Sequence, residues 1–256
     1  MGQAFQRSVR RARDRNIVPY VTDHDRRCGV ESKVTGTTMP ILEVSLQPGE
    51  TLLAEGGELS WMSPGVRMHT SAGGGGMFGA LRRATGGSTV FLTRYTAEGG
   101  VGEVAFATKL PGQIVPIDLD SGGFLLHRHG FVCAFGEVDI SVGFQRRLGS
   151  ALFGGEGFIL QKISGRGRAF IELSGELVRR DLNPGEQIFV HPGHVGLFPA
   201  SMPFQIRTIP GIANKLFGGD GVFLVELTGP GTVLLQSLTL PKLAAELVPY
   251  LPLQSR

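Results

Sequence analysis

The sequence predicts an all-β protein built from three tandem units, each a small sandwich or rolled sheet. The main observation is a phrase that occurs twice, LFGGEGFILQKISGRG at 152–167 and LFGGDGVFLVELTGPG at 216–231. A weaker third copy begins at the glycine pair Gly86-Gly87 and continues into VFLTRYTA. Because similar phrases at similar spacing indicate one structural unit repeated along the chain, three units are expected.

A second set of landmarks follows the same spacing. Pro48-Gly49, Pro111-Gly112 and Pro184-Gly185 each lie between two apolar segments. Proline fixes φ at the second position of a tight turn, and glycine supplies the positive φ at the third. Each pair therefore predicts a turn between antiparallel strands, at matching places in the three units.

Taken in chain order, the predicted strands are short, rich in Val, Ile, Leu and Phe, and bounded by Gly or Pro. They cover 41–46, 102–110, 158–163, 168–173, 186–191, 204–209, 222–227 and 232–238. Gly-x-Gly at 165–167 and at 229–231 is expected to form the turn between two strands in the second and third units.

These landmarks divide the chain. The three units are expected to span about residues 37–117, 118–176 and 177–238, in a pseudo-threefold arrangement. A basic tail, 1–27, is expected to precede them and a C-terminal extension, 239–256, to follow them.

A short apolar and basic segment precedes each glycine pair and predicts one or two helical turns. Three such connectors, 77–85, 144–153 and 212–217, would lie around one rim of the molecule. They predict a surface for another subunit or for a membrane face. Its candidate residues are Phe78, Leu81, Arg82, Arg147, Leu148, Lys215 and Leu216. The alternative is that each connector closes the open end of its own unit. A homo-oligomer, by preference a trimer, is expected.

The positive charge of the chain is confined to its start. Residues 1–27 hold seven Arg and three Asp, whereas the rest holds 18 Lys plus Arg against 19 Asp plus Glu. Proteins that bind phosphate backbones cluster cations on the folded body, so general nucleic-acid binding is not expected. The tail itself is expected to be disordered, with a membrane-surface helix or an organelle transit peptide as alternatives.

Cysteine usage and hydropathy bear on the compartment. Two cysteines, Cys28 and Cys133, are too few for a disulfide scaffold, so free thiols in a reducing compartment are expected. No apolar run approaches the ~20 residues of a membrane span, and no secretory signal is expected at the start. The expected location is cytoplasmic, or mitochondrial if the source is eukaryotic.

Several stretches together resemble the AIM family. They are GTTMPILEVSLQPGETLLAEGGELSWMS at 36–63, the two LFGG phrases, and HPGHVGLF at 191–198. That family joins a fungal mitochondrial biogenesis protein to many prokaryotic proteins of unassigned function, and the resemblance covers about residues 28–238. It implies three double-stranded β-helix repeats, in a fold similar to that of the trp RNA-binding attenuation protein. None of that protein's RNA-binding or tryptophan-binding residues can be matched here, and the resemblance implies no established chemistry.

His127 and His129 are the first candidates for chemistry. Residues i and i+2 of a strand share a face, so both imidazoles could reach one metal, as in metal-binding cupins. That pattern requires a carboxylate four or five residues after the second His, whereas Glu137 lies eight residues after His129, beyond Cys133. A solvated histidine pair is therefore expected, with a metal site as the alternative.

A second histidine pair, His191 and His194, flanks Pro192-Gly193. Because Pro-Gly makes a turn, the two side chains are expected to point apart, with one histidine capping the turn by a hydrogen bond. The alternative is half of a metal site completed by Glu186.

Four carboxylates lie close together in sequence: Glu43, Glu50, Glu55 and Glu58. Two acids in different environments can divide into general acid and general base. Glu55 and Glu58 flank Gly56-Gly57, so the expected arrangement is a pair of solvated acids beside a turn.

The sequence predicts a non-enzymatic scaffold or interaction protein, without a cofactor or a tightly bound metal. Through its resemblance to the mitochondrial relatives, a link to membrane organisation is implied. Neither a Ser-His-acid order nor a phosphate loop is present, since the GGGG at 73–76 lacks the Gly-Lys-Ser/Thr that should follow. Two alternatives remain, a cupin-type metalloenzyme using His127 and His129 and a small-molecule or lipid binder.

Overall fold

A computed structural model of the chain describes residues 31–70, 92–120, 122–146, 157–209 and 222–251. Within these ranges the protein is mostly β-strand, with one short α-helix, so the predicted all-β class is confirmed. The strands pair antiparallel and form three sheets.

The first sheet has four strands, and the third has three. In spatial order the first contains β1 (Glu31–Thr35), β2 (Ile41–Leu46), β7 (Gly102–Ala107) and β4 (Leu59–Met62). The third contains β13 (Gln187–Val190), β16 (Val222–Thr228) and β15 (Phe204–Ile209).

The second sheet has ten strands and runs through the middle of the molecule. Its spatial order is β12 (Leu177–Leu182), β17 (Gly231–Gln236), β14 (Val195–Pro199), β9 (Phe124–His127), β11 (Phe158–Ser174), β10 (Phe131–Arg146), β3 (Thr51–Glu55), β6 (Leu92–Ala97) and β5 (Val66–Thr70), with β8 (Gly112–Asp118) also paired to β11.

β10 and β11 are the longest strands, and they pair with each other from Phe131↔Ile171 to Arg146↔Phe158. The prediction that 158–163 and 168–173 are separate strands joined by a turn is wrong, because β11 is continuous. Gly165 and Gly167 have positive φ, and a Cβ on either would overlap a carbonyl oxygen of β10. The Gly-x-Gly here permits two backbones to approach closely.

The other predicted glycine turns behave as expected. Gly229–Gly231 connects β16 to β17. Pro48-Gly49 and Pro184-Gly185 also form tight turns, with positive φ at both glycines. In each, the following glutamate accepts a hydrogen bond from the backbone N–H three residues earlier, at 2.7 Å for Glu50 and 2.8 Å for Glu186.

Pro111-Gly112 does not form the equivalent turn, so the predicted match of three Pro-Gly turns is wrong. Gly112 begins β8 and pairs with Ser174 of β11. A Cβ on Gly112 would overlap the carbonyl oxygen of Leu173. Glycine is needed at this position because β11 passes directly against it.

In the described ranges of the chain, the buried apolar side chains form three hydrophobic cores. The first core lies around Leu42, Val104 and Phe106 of the first sheet. The middle core lies around Ile117, Phe131 and Leu197, and the third core around Phe158, Phe198 and Val225. β10 and β11 together contribute side chains to all three cores.

A helix follows β17, in the segment for which the sequence predicted only a C-terminal extension. α1 (Leu240–Leu247) begins at Thr239, whose hydroxyl accepts a hydrogen bond from the Lys242 N–H at 3.4 Å, and has Pro241 in its first turn. A 3₁₀ turn, Val248–Tyr250, follows it. None of the described helices is both long enough and apolar enough to cross a membrane.

Candidate functional site

A pocket of about 740 Å³ lies between the β body and α1. Apolar atoms make up most of the surface that lines the pocket. The apolar residues of the lining are Leu110, Phe158, Ile159, Pro192, Leu238, Leu240, Pro241 and Ala244. The polar residues are Lys109, His127, Arg128, His129, Glu172, Ser174, Gln236 and Thr239, with Gly157 and Gly193 completing the lining.

His127 is held at the end of β9 by the backbone of β11. Its Nε2 lies 2.9 Å from the carbonyl oxygen of Glu172. Because a carbonyl can only accept, Nε2 carries the proton and donates. Burial lowers the pKa of His127 to about 4, so the ring is neutral at physiological pH.

Lys109 follows β7 and joins three carboxylates from distant parts of the chain. Its Nζ lies 2.9 Å from Glu58 Oε1, 3.0 Å from Glu172 Oε1 and 3.6 Å from Glu55 Oε2. The same ammonium also donates to the carbonyl oxygen of His129 at 3.3 Å, and the Lys109 N–H donates to Glu172 Oε2 at 3.1 Å. This Lys109 cluster ties β3, β4, β11 and the turn after β9 together at one end of the pocket.

The pKa values in the Lys109 cluster follow from burial and charge. Burial disfavours the Lys109 ammonium, but the carboxylates of Glu172, Glu58 and Glu55 outweigh it and raise the pKa of Lys109. Burial raises the pKa of Glu55 to about 6 against the opposing effect of Lys109, and the neighbouring Glu58 carboxylate adds to the rise. Burial likewise raises the pKa of Glu172, against the opposing effect of Lys109.

Glu55 and Glu58 are therefore not the solvated acids that the sequence predicted. The sheets fold back so that the segment joining β3 to β4 lies against Lys109, and both carboxylates face its ammonium. Glu43 and Glu50 do not join them. Glu43 accepts a hydrogen bond from the Thr35 hydroxyl at 3.1 Å, and Glu50 caps its turn.

The structure does not assemble the His-x-His arrangement of the cupin alternative. His127 ends β9, whereas His129 lies in the turn beyond it, so the two rings do not share a strand face. Cys133 is buried in the first core, and Glu137 is exposed on β10. Among the residues that the structure describes, no group of three His, Cys, Asp or Glu side chains could hold a metal ion.

The second histidine pair lies beside the pocket, on the 3₁₀ turn Pro192–His194. His191 Nδ1 accepts a hydrogen bond from the Gly193 N–H at 3.3 Å, which confirms the predicted capping role. The rings do not point apart, because their centroids lie 5.8 Å from each other in an edge-on contact. The Glu186 carboxylate instead binds the backbone and side-chain amides of Asn183, at 2.8 and 2.9 Å.

His194 connects the β body to α1. Its Nδ1 lies 2.8 Å from the carbonyl oxygen of Gln236, and its Nε2 lies 3.1 Å from Lys242 Nζ. The Gln236 side chain also joins this region, since its Nε2 donates to the Gly193 carbonyl oxygen at 3.0 Å and its Oε1 accepts from the Ser174 N–H at 3.1 Å.

The predicted rim surface lies outside the described residues. This applies to all its candidate residues: Phe78, Leu81, Arg82, Arg147, Leu148, Lys215 and Leu216. The only described part of the three connectors is 144–146, which forms the end of β10 and not a helical turn. The basic tail, 1–27, and Cys28 also lie outside the described ranges.

Sequence reasoning missed Lys109, Glu172, Gln236 and α1. A signal for Glu172 exists, because a single acid within the apolar strand AFIEL predicts a buried partner. α1 was signalled by Thr239 before Leu-Pro, since a threonine cap followed by proline in the first turn marks a helix start. Nothing local marks Lys109, whose carboxylates lie 51 to 63 residues away in the chain.

Comparison with known proteins places the fold among relatives of unassigned function. A family model described as "Mitochondrial biogenesis AIM24" matches residues 32–238. An uncharacterised protein of Streptococcus pyogenes serotype M6 is 27% identical over 223 residues, covering 84% of this chain and 88% of that protein. The crystal structure of the protein SPYM3_0169 from Streptococcus pyogenes superposes with a TM-score of 0.70 at 24% identity, covering 87% of this chain and all of that one.

Proposed function

The chain belongs to the AIM24 family, and on that premise we propose that it is a non-enzymatic binding protein. Its ligand is a small apolar molecule, such as one carrying a single alkyl chain, held between the β body and α1. The observation that carries this proposal is the pocket of about 740 Å³ with its mostly apolar lining.

The size and chemistry of the pocket match those of ligand sites in general. Small-molecule sites enclose roughly 300–1,000 Å³ and combine apolar walls with a few polar groups that orient the ligand. Each buried methylene contributes about 0.8 kcal/mol, so an alkyl chain along Phe158, Ile159 and Leu238 provides most of the binding energy.

The polar end of the pocket limits the ligand's head group. Lys109 and Arg128 bring two positive charges to this end, whereas three carboxylates, those of Glu172, Glu58 and Glu55, face the Lys109 ammonium. Because the ammonium is already shared among these carboxylates, a neutral head group is favoured.

A non-catalytic role is supported by how the polar groups are used. His127 donates to a backbone carbonyl, and burial holds it neutral. The Lys109 ammonium is bound by carboxylates, which raise its pKa and make it a poor nucleophile. These groups bind one another and serve to shape the pocket.

The test is binding of a neutral fluorescent alkyl probe, a dansyl undecylamide, to the full chain. Ala244 lines the pocket and Ala245 does not, although both are exposed positions of α1. We expect Ala244→Trp to weaken probe binding at least tenfold and the matched Ala245→Trp to leave it unchanged. No binding to the wild type, or equal effects of the two variants, would refute the proposal.

A second proposal concerns assembly. The chain forms a homo-oligomer, by preference a trimer, in which outer strands of neighbouring copies meet. In the described part of the chain β4 and β5 end their sheets, and both present large apolar side chains. Trp61 is 43% exposed and Met68 is 50% exposed. Edge strands with exposed apolar residues tend to pair with another chain.

The three-unit organisation is a proposal of the same kind. The repeated phrases of the sequence support a pseudo-threefold arrangement of double-stranded β-helix units over 37–117, 118–176 and 177–238, although the middle core takes side chains from all three segments, among them Leu92, Phe131 and Leu197. The three units are not strictly equivalent, because Pro111-Gly112 does not form the turn seen at the other two Pro-Gly pairs. Gly165 and Gly167 also lie within a continuous strand, whereas the matching glycines at 229 and 231 lie at a turn. Superposition of the three segments in an experimental structure decides the question.

A further inference from the structure

One irregularity recurs at three places in the strand pairing. β4 pairs with β7, β10 with β11 and β14 with β17, antiparallel in each case. Each pair has a register shift close to where it begins, and these shifts lie between Leu59 and Trp61, between Phe131 and Cys133, and between Val195 and Leu197. Trp61, Cys133 and Leu197 therefore occupy corresponding positions, each directly after the shift.

Two of these strands also have a neighbour on their other side. β10 pairs with β3, and β14 pairs with β9. The opposed residues are Cys133↔Ala54 and Ala134↔Leu53 in the first junction, and Leu197↔Leu126 and Phe198↔Leu125 in the second. In both junctions the pairing includes the residue directly after the shift. Within the described ranges β4 has no such neighbour and ends its sheet.

β13 holds the same place in its unit as β3 and β9 do in theirs. The residues opposite one another are Ala54↔Thr93 for β3, Leu126↔Gln161 for β9 and Val190↔Val225 for β13. Thr93, Gln161 and Val225 each lie seven residues after the first glycine of a glycine pair, at 86, 154 and 218. Val190 is therefore the counterpart of Ala54 and Leu126. Like β4, β13 ends its sheet in the part of the chain that the structure describes.

Solvent exposure separates the two junctions from the two strands that end their sheets. The four junction residues given above for β10 and β14 are at most 1% exposed, whereas Trp61 and Met62 of β4 are 43% and 37% exposed. Leu125 of β9 is 5% exposed, whereas Phe189, its counterpart on β13, is 54% exposed. The positions that strand pairing buries in the junctions are thus large, apolar and exposed on β4 and β13.

Charge also distinguishes β4 and β13 from the other strands at the ends of sheets. β1, β5, β12 and β15 each carry at least one charged residue, and charged side chains on an edge strand oppose pairing with another strand. β4, with the sequence LSWM, and β13, with the sequence QIFV, carry none. These two strands are therefore the sheet ends best suited to pair.

We infer that β13 of one copy of the chain pairs antiparallel with β4 of another copy, with Val190 opposite Trp61 and Phe189 opposite Met62. The inference deepens the assembly proposed above, rests on it and on the three-unit organisation, and names the two strands that meet. The third sheet of one copy and the first sheet of the next join into one sheet of seven strands. Because two different strands meet, the contact is head-to-tail, and a rotation that closes gives a ring, such as the preferred trimer.

The two strands belong to separate parts of one chain, which favours pairing between copies. Among the described residues, the first core takes no side chain from the third sheet, and the third core takes none from the first sheet. The first and third sheets therefore pack at different places, and each leaves its uncharged end strand without a partner in the same chain.

Disulfide trapping in the full chain tests the pairing. Met62→Cys and Phe189→Cys are placed in separate copies that carry different tags and are co-expressed, each with Cys28→Ser. Residues directly opposite in an antiparallel pair have Cα atoms about 4.5–5.5 Å apart, which a disulfide can span. Cys133 is buried and does not interfere. After mild oxidation we expect a disulfide-linked pair containing one copy of each variant, and neither variant alone should form one.

Val101→Cys is the matched control for Met62→Cys, because Val101 is 64% exposed but lies in the turn between β6 and β7. Combined with Phe189→Cys, it should give no cross-link. The inference is overturned if Met62→Cys and Phe189→Cys do not cross-link, or if one variant alone forms linked pairs. It is also overturned if a link forms only when both cysteines are in the same chain, since β4 and β13 would then meet within one copy.

Light scattering separates this inference from the assembly proposal. Phe189→Lys places a charge opposite Met62, so we expect the mass to fall from that of the oligomer to the 27.3 kDa of one chain. Gln205→Lys changes an exposed residue of β15, at the other end of the third sheet, and should keep the wild-type mass. An oligomeric wild type whose mass falls with Met68→Lys but not with Phe189→Lys keeps the assembly and overturns the pairing of β4 with β13. A monomeric wild type overturns both.

Discussion

Among single residues, Lys109 has the largest electrostatic role beside the pocket, because its ammonium partly compensates the charges of three carboxylates. Three carboxylates share one ammonium, and the three elements that carry them meet only in the folded chain. Glu55 is the least well compensated, because its Oε2 lies 3.6 Å from Lys109 Nζ and has no hydrogen-bond partner. Its charge therefore costs stability at neutral pH.

Glu55→Gln should change how stability depends on pH. The pKa of Glu55 is raised from about 4.5 to about 6, so the folded protein binds this proton more tightly than the unfolded chain. Glu55 therefore contributes stability that is present below about pH 4.5 and is lost, by about 2 kcal/mol, as the pH rises to about 6. Urea unfolding across pH 4–7 should show that Glu55→Gln removes this loss.

The matched control is Glu137→Gln, which changes an exposed glutamate on β10. Its pH profile should follow that of the wild type. A Glu55→Gln profile parallel to the wild type would mean that Glu55 titrates in the folded state as it does in the unfolded chain.

The contacts of single side chains were the least predictable from the sequence. The sequence pairs Glu55 with Glu58, but both carboxylates face Lys109, which lies 54 and 51 residues further on, respectively. Likewise the capping role of His191 is local and was predicted, whereas the contact of His194 with Lys242 depends on a helix 48 residues away. Local hydrogen bonds can be read from neighbouring residues, but contacts across sheets require the strand pairing.

At the scale of elements, the glycines of β11 have a role that spacing alone did not reveal. The strands themselves follow the apolar pattern, so β2, β15 and β16 were predicted within a residue of their observed bounds. The same Gly-x-Gly pattern, however, makes a turn at 229–231 and a close crossing at 165–167. The difference arises from the partner strand β10, which presses its carbonyl oxygens against Gly165 and Gly167.

Gly165→Ala should destabilise the protein far more than Gly185→Ala. Both glycines have positive φ, so alanine at either costs about 1–2 kcal/mol from backbone strain. Only Gly165 also faces a backbone oxygen, that of Glu137, whereas nothing lies within 4 Å of a Cβ on Gly185. Overpacking adds about 1–3 kcal/mol at Gly165. Chemical denaturation measures the difference, and equal losses would show that β10 and β11 are not in such close contact.

For the molecule as a whole, the all-β class was accessible from the sequence, but the pairing of the strands was not. Periodicity reports which residues face a core, yet it does not report that ten strands join in one sheet that contributes side chains to three cores. The same limit applies to the pocket. Its walls come from 109–110, 127–129, 157–174, 192–193 and 236–244, and only the three-dimensional arrangement brings these segments together.

The assembly proposal predicts a solution mass of about three times the 27.3 kDa chain mass. A lysine on an edge strand opposes pairing with another strand, so Met68→Lys on β5 should lower the mass measured by light scattering. Val101→Lys is the control, since Val101 is 64% exposed but lies in the turn between β6 and β7. A monomeric wild type would end the proposal. If such a monomer floats with anionic liposomes, peripheral membrane contact replaces subunit contact.

The long β10–β11 hairpin has a consequence for synthesis on the ribosome. The first core draws most of its side chains from residues 42–106, but it also needs Val132, Cys133, Phe135 and Phe170. Translation proceeds from the N-terminus, so the early part of the chain emerges before the residues that complete its core have been made. Until about residue 170 has left the exit tunnel, the nascent protein presents an unfinished apolar surface, which is the condition under which chaperones are most needed. A product terminated before that point lacks part of every core.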